Sequence, residues 1–275
     1  MISSKFLILA LSLVSATTAA SVKRADVTPL PANSKWDYQI GGAYDPDQDV
    51  GVVTRDRKQS PVAGKYNICY VNAFQTQPDE AADWQTPERD HLLLRNPDGS
   101  YFEDPDWPGE FILNTSNATN RDEIAAIVNV WLDDCKQKGF NAVEPDNLDT
   151  FTRTDDLLSA DDNVAYAKLL ATHAHDIGLA IGQKNAGELE GRGKTDVGFD
   201  FAVVEQCQQF EECETYTDVY GSEVLEVEYV NTTLPQNGLV NWQDACNARG
   251  SQISIIYRDV KVTPRGNSAY VYREC

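Results

Sequence analysis

The chain has 275 residues, and its 43 aspartates and glutamates outnumber its 23 lysines and arginines to give a formal net charge of −20. So acidic a balance excludes nucleic acid as a partner, because phosphate binding needs a basic surface. The remaining readings are solubility outside the cell and attraction for a cationic substrate, and charge alone does not choose between them.

In chain order, the first segment stands apart. Lys5 precedes the apolar run FLILALSLV, and ATTAA ends at Ala20. This is the layout of a secretory signal peptide over residues 1–20. The run is too short to cross a bilayer, and no later stretch is long and apolar enough to do so. The mature protein is therefore expected to be secreted, extracellular and free of the membrane. Residues 21–34 read as a leader or linker, with Pro29, Pro31 and a dibasic pair, Lys23 and Arg24, open to trimming. Residues 35–275 read as one domain, long enough for a well-buried core.

Short β-branched or aromatic runs then alternate with helical patterns. Strands are expected at 36–42, 51–56, 66–71, 110–114, 142–145, 179–184, 201–206, 223–230 and 252–258. Several are apolar at both alternating positions, as strands covered on both faces are. Residues 120–139 carry Ile124, Ile127, Val128, Trp131 and Leu132 at helical spacing, with Asn120 as a cap and Gly139 as a stop. Residues 159–178 repeat the scheme between Ser159 and Gly178. Shorter helices are expected near 240–249 and before Gly64. Alternating strands and helices over this length predict an α/β fold, a parallel sheet closed as a (β/α)8 TIM barrel. Neither GxGxxG nor GxxxxGK[ST] occurs, so nucleotide-binding sheets lose support and no cofactor is expected.

The six cysteines, Cys69, Cys135, Cys207, Cys213, Cys246 and Cys275, form an even set that reads as three disulfides in an exported chain. Many pairings are possible. Proximity favours Cys207–Cys213, and a bridge from Cys275 to Cys246 would pin the terminus and leave Cys69 with Cys135. There is no CxxC, and His91, His173 and His175 lack ligand spacing, so no metal site is expected. The DPDQD loop (45–49) resembles a calcium loop, but Val50 stands where an EF-hand needs glycine. Asn114, Asn117 and Asn231 head glycosylation sequons.

In such a barrel the site lies at the C-terminal ends of the strands, where Gln39, Asp56, Tyr70, Asp146, Lys184, Asn185, Glu205, Glu228 and Tyr229 stand. Four are carboxylates and none is histidine or cysteine, which disfavours serine–histidine and cysteine–histidine catalysis. Two carboxylates across a pocket are what glycoside hydrolysis needs. FNAVEPDNLD (140–149) ends a strand with Glu144, read as structural, then Asp146, placed to reach the pocket, then Asp149 one turn further out. VVEQC brings Glu205 to the end of another strand. The competing readings are turn chemistry for EPDNLD and a salt-bridged strand end for Glu205. Trp36, Tyr70, Trp84, Trp107 and Tyr229 either stack on sugar rings or pack in the core.

Taken together, WDYQIGG, NICYVNAF, GFNAVEPDNLD, GLAIGQKNA, FDFAVVEQC and EVLEVEY, in that order, resemble glycoside hydrolase family 114, the endo-α-1,4-polygalactosaminidase type, over residues 36–258. The resemblance implies a (β/α)8 barrel and an endo-acting enzyme. Its polysaccharide substrate would be a cationic α-1,4-linked galactosamine polymer, as in the galactosaminogalactan of fungal biofilms. By position it implies Asp146 as nucleophile and Glu205 as acid/base. Gln39, Asp56, Tyr70, Asn147, Asp149, Lys184, Asn185, Glu228 and Tyr229 would line the subsites. VTRDRKQ is more basic than the family pattern at that place. A retaining double displacement by a monomer is expected, with Lys184 keeping Asp146 ionised if it is adjacent. Asp149 or Glu228 would pair with a substrate ammonium. The rivals are a secreted carbohydrate-binding barrel without turnover and an exo-acting α-glycosidase on another sugar.

Overall fold

The computed structural model describes residues 26–230 and 238–275. The expected signal peptide, the Lys23–Arg24 pair and the Asn231 sequon lie outside the described residues. Eight parallel strands pair side by side in chain order: β1 (Trp36–Gln39), β2 (Val52–Asp56), β3 (Tyr66–Asn72), β4 (Ala142–Asp146), β5 (Ala180–Lys184), β6 (Phe201–Glu205), β7 (Val224–Val230) and β8 (Ser254–Asp259). A ninth, β9 (Tyr272–Glu274), runs antiparallel to β8. The sheet is nearly closed into a barrel of the (β/α)8 type. The seam between β8 and β1 is bridged from β8 and β9 by side chains. Ser254 Oγ donates to the Ser34 carbonyl at 2.6 Å, Tyr272 OH to that of Trp36 at 2.9 Å, and the Arg258 guanidinium to that of Tyr38.

Strand side chains alternate between two faces. One face fills the barrel with Trp36, Tyr38, Ile68, Ala142, Phe201, Val203, Val227 and Tyr229. The other packs Val143, Ile181, Ala202 and Val204 against Ile124, Val128, Leu132, Tyr166 and Leu170 of the surrounding helices. This parity decides which strand-end residues reach the site.

The helices are α1 (Ala81–Trp84), α2 (Ala118–Lys138), α3 (Ala160–Asp176), α4 (Cys207–Phe210), α5 (Cys213–Tyr220) and α6 (Gly238–Arg249). The cap of α2 is Asn117, not Asn120: its extended backbone frees the side chain to accept the Asn120 N–H at 2.9 Å. Gly139 stops α2 at φ 97°, a conformation that favours glycine. Ser159 caps α3 in a reciprocal box with Asp162.

Two expected elements are absent. Residues 110–114 form no strand. Phe111, Ile112 and Leu113 make single bridges to Glu103, Gln75 and Leu93, because the partners offered to them are loop segments of the β3–α2 connection. No helix precedes Gly64; the short β2–β3 link is turns, with Pro61 removing a donor. The structure joins Cys69 to Cys135, Cys207 to Cys213 and Cys246 to Cys275. These bridges tie β3 to α2, α4 to α5, and α6 to the segment after β9.

Arg258 is fully buried at the seam, with Asp37 Oδ1 at 3.6 Å and the Thr263 carbonyl at 3.0 Å. Arg258→Met keeps the volume but leaves Asp37 a buried charge without its cation. It should destabilise the fold by about 3–5 kcal/mol, read as a lower urea midpoint; an unchanged midpoint would show that the seam does not need the arginine.

Candidate active site

The C-terminal strand ends surround a cavity of about 580 Å3. At its base lies Lys184, the inward-facing end of β5 and fully buried. Its Nζ stands 3.0 Å from Asp146 Oδ1, 3.1 Å from Glu144 Oε1 and 3.5 Å from Glu205 Oε2, and it donates to Tyr38 OH at 3.1 Å. Burial alone would lower the pKa of this ammonium, but the charges of Asp146, Glu205 and Glu144 hold it well above the usual range.

Asp146 is the inward-facing end of β4. Burial pushes its pKa up, yet the Lys184 charge and hydrogen bonds from Tyr70 and Lys184 outweigh burial and hold it below the usual carboxylate range. Tyr70 OH donates to Asp146 Oδ2 at 2.5 Å. Glu205, the inward-facing end of β6, accepts from Tyr229 OH at 2.6 Å and from Asn185 Nδ2 at 3.0 Å. Burial pushes Tyr70 and Tyr229 far up, so both stay protonated donors. Glu144, read from sequence as structural, lies inside the barrel, where Tyr38 OH donates to it at 2.7 Å. Burial and then the Asp146 charge, against the pull of Lys184, raise its pKa to about 7.

Three adjacent strands end the same way. Asn147, Asn185 and Gln206, each directly after its strand, take left-handed φ values of 67°, 46° and 59°. Such non-glycine residues cluster at functional sites. Here they turn the chain sharply over the barrel mouth.

Asp56, Tyr70, Asp146, Asn147, Asp149, Asn185, Glu205 and Tyr229 all line the cavity. Three other expected site residues do not. Lys184 lies beneath it. Gln39 and Glu228 point away from the barrel interior, for their neighbours Tyr38 and Tyr229 hold the inward parity. Gln39 accepts from Arg55 Nε at 2.9 Å and donates to Asp37 at 2.8 Å. Glu228 accepts the Gln208 N–H at 3.0 Å in the helix layer. Asp149 lines the cavity but is ion-paired to Arg153 at 2.7 Å. Of the aromatics, Trp36 and Trp84 are core, Tyr70 and Tyr229 bond carboxylates, and Trp107 is 41 % exposed at the rim with the Lys261 ammonium 4.6 Å from its ring centre.

Sequence reasoning missed Arg153 and Glu110. Arg153 also meets Asn147 Oδ1 at 2.8 Å, Asp104 Oδ2 at 3.0 Å and Gln75 Oε1 at 3.1 Å. Its pair with Asp149 has an i,i+4 spacing, but no spacing signals the contacts with Asp104 and Gln75, 49 and 78 residues away. Glu110 sits where a strand was expected. The DPDQD loop is held by ion pairs, Asp47 to Arg265 and Asp49 to Lys35. Among the described residues, the one convergent set of potential metal ligands is Cys207, Cys213 and Glu226, and its cysteines are joined in a disulfide.

The sequence matches the profile of glycoside-hydrolase family GH114 over residues 16–275. The fold is similar to that of Ega3 of Aspergillus fumigatus, solved in complex with galactosamine, at 25% identity and a TM-score of 0.69, covering 92% of this chain and 100% of that one. It is also similar to the glycoside hydrolase domain of PelA from Pseudomonas aeruginosa at 12% identity and a TM-score of 0.55, covering 86% and 99%; identity that low carries the fold alone. No curated protein sequence matches the chain.

Burial, with the Glu226 charge adding, raises the Glu228 pKa to about 8. A carboxyl raised above its unfolded value binds more protons folded than unfolded, so its stability contribution falls as pH rises from the usual carboxylate range towards 8. Glu228→Gln should therefore raise the melting temperature by a few degrees at pH 8.5 and leave it nearly unchanged at pH 4. A gain confined to pH 4 would reverse the assignment.

Proposed function

The chain belongs to glycoside-hydrolase family GH114, and on that premise we propose that it cleaves α-1,4-linked galactosamine polymer at internal bonds by retaining double displacement. Asp146 is the nucleophile and Glu205 the acid/base. The observation that carries this reading is the Lys184 ammonium, within 3.5 Å of both carboxylates. Laid end to end, its two distances only just reach the shortest separation of an inverting pair, roughly 6.5 Å. Retaining pairs stand about 5–5.5 Å apart.

Asp146, kept ionised beside Lys184 and oriented by Tyr70, attacks the anomeric carbon while Glu205 gives its proton to the leaving glycosidic oxygen. The covalent glycosyl–enzyme then meets a water that Glu205 deprotonates. Its oxygen bonds to the anomeric carbon, and Asp146 departs as a carboxylate stabilised by Lys184. Support for a cationic substrate comes from the galactosamine bound to Ega3, the net charge of −20 and the carboxylates lining the cavity. The protein acts as a secreted monomer, with residues 1–20 as signal peptide, 21–34 as leader and 35–275 as the catalytic domain. Three disulfides suit an oxidising extracellular compartment.

Incubating the chain from residue 21 onward with galactosaminogalactan should yield a ladder of oligomers whose new ends first carry the α configuration. Asp146→Asn and Glu205→Gln should each slow release by about a thousandfold or more. Monosaccharide released first from chain ends would favour the exo-acting rival, and binding without release would favour the carbohydrate-binding one.

A further inference from the structure

We propose that Glu110 recognises the 2-ammonium of a galactosamine unit and sets a preference for deacetylated over N-acetylated polymer; the proposal rests on the substrate reading above. The other carboxylates expected to serve as ammonium partners are placed otherwise: Asp149 is ion-paired to Arg153 and Glu228 faces the helix layer. Asp104 is likewise held by Arg153, and Asp146 and Glu205 share Lys184. Glu110 lines the same cavity, and among the described residues it forms no ion pair.

What surrounds Glu110 is a fixed cradle of neutral donors. Asn72 Nδ2 at 3.0 Å and Gln75 Nε2 at 2.7 Å both donate to its Oε2. Each amide is oriented from its other end, for Asn147 Nδ2 donates to Asn72 Oδ1 at 2.9 Å and Arg153 to Gln75 Oε1 at 3.1 Å. The two NH2 groups are thus aimed at Glu110, and among the described residues Oε1 accepts no hydrogen bond. Burial, with the charges of Asp146 and Asp104 adding, raises the Glu110 pKa despite these donors. An arriving cation relieves that penalty, which a neutral acetamide does not.

Position supplies the second argument. The amino group of galactosamine sits on C2, bonded to the anomeric carbon that Asp146 would attack, so the group that reads it must stand beside Asp146. Asn72 lies in register with Asp146 on the neighbouring strand, and one hydrogen bond joins it to Glu110. Asp56 and Asp106 also line the cavity without an ion pair among the described residues, but β3 and its Tyr70 separate Asp56 from β4, and Asp106 is exposed to water, which weakens its hold on a cation.

The test compares wild type, Glu110→Gln and Asp56→Asn on deacetylated and fully N-acetylated polymer. The ratio of kcat/KM values should fall about tenfold or more in Glu110→Gln, whose amide keeps the shape and an acceptor for Asn72 and Gln75. A parallel calorimetric titration with galactosamine and N-acetylgalactosamine should show the wild-type preference for the amine lost in Glu110→Gln, with an unchanged melting temperature certifying the fold. A wild-type ratio in Glu110→Gln, or a ratio lost only in Asp56→Asn, overturns the proposal. If wild type cleaves neither polymer, the proposed function fails, and the titration alone decides Glu110: a preference lost in the variant supports it, and equal binding of the two sugars in wild type, or a preference kept in the variant, refutes it.

Discussion

The structure turns on one buried cation. An ammonium taken out of water is costly unless charges and hydrogen bonds compensate it. Lys184 is compensated by three carboxylates from two strands, Glu144 and Asp146 of β4 and Glu205 of β6. Those acids are equally dependent on the lysine, because three negative charges could not share the barrel mouth without it. The proposed nucleophile and acid/base therefore come from β4 and β6, on either side of β5, where Lys184 sits between them. Burial raises the Glu144 pKa to about 7, so the cluster holds a group beneath the cavity that can take up or give a proton near neutrality.

Around this centre the chain supplies two kinds of rigidity. Left-handed residues directly after β4, β5 and β6 fix the angle at which the loops leave the barrel. The β3–α2 connection brings Asp104, Trp107 and Glu110 over the opening, and Arg153 draws it against the turn after β4 through Asp104, Gln75, Asn147 and Asp149. One guanidinium joins two loops that also share the apolar cluster of Leu94, Phe102, Ile112 and Leu158, a role that suits its planar set of donors.

Much of the barrel was legible in the sequence because its signals are local. Apolar runs of strand length, helical spacing before Gly139 and Gly178, and the Ser159 cap need only neighbours. Position alone marked Asp146, Lys184 and Glu205 as a group, since the inward-facing ends of barrel strands converge at one mouth. The misses have physical causes. Pairing of faces has period two, so naming both Glu228 and Tyr229 was bound to place one outside; a shift of one residue reverses the side. Phe111–Leu113 have strand-like composition but no strand to pair with. Glu110 acts through Asn72 and Gln75, 38 and 35 residues away, and Arg153 reaches Asp104 and Gln75 across 49 and 78, distances at which no spacing rule speaks; the Arg153 pair with Asp149 alone has helical i,i+4 spacing.

The seam has a consequence for how the protein comes into being. Its closing contacts join residues 220 to 236 positions apart, Tyr38 with Arg258 and Trp36 with Tyr272. As the chain is synthesised, the strands from β1 to β7 can assemble in the order they emerge, but the free edge of β1 has no cover until β8 and β9 arrive. Contacts so distant are slow to form, and an uncovered edge invites pairing with other chains. The nascent enzyme thus passes through an open, adhesive sheet, and its yield depends on how quickly the last strands reach the first.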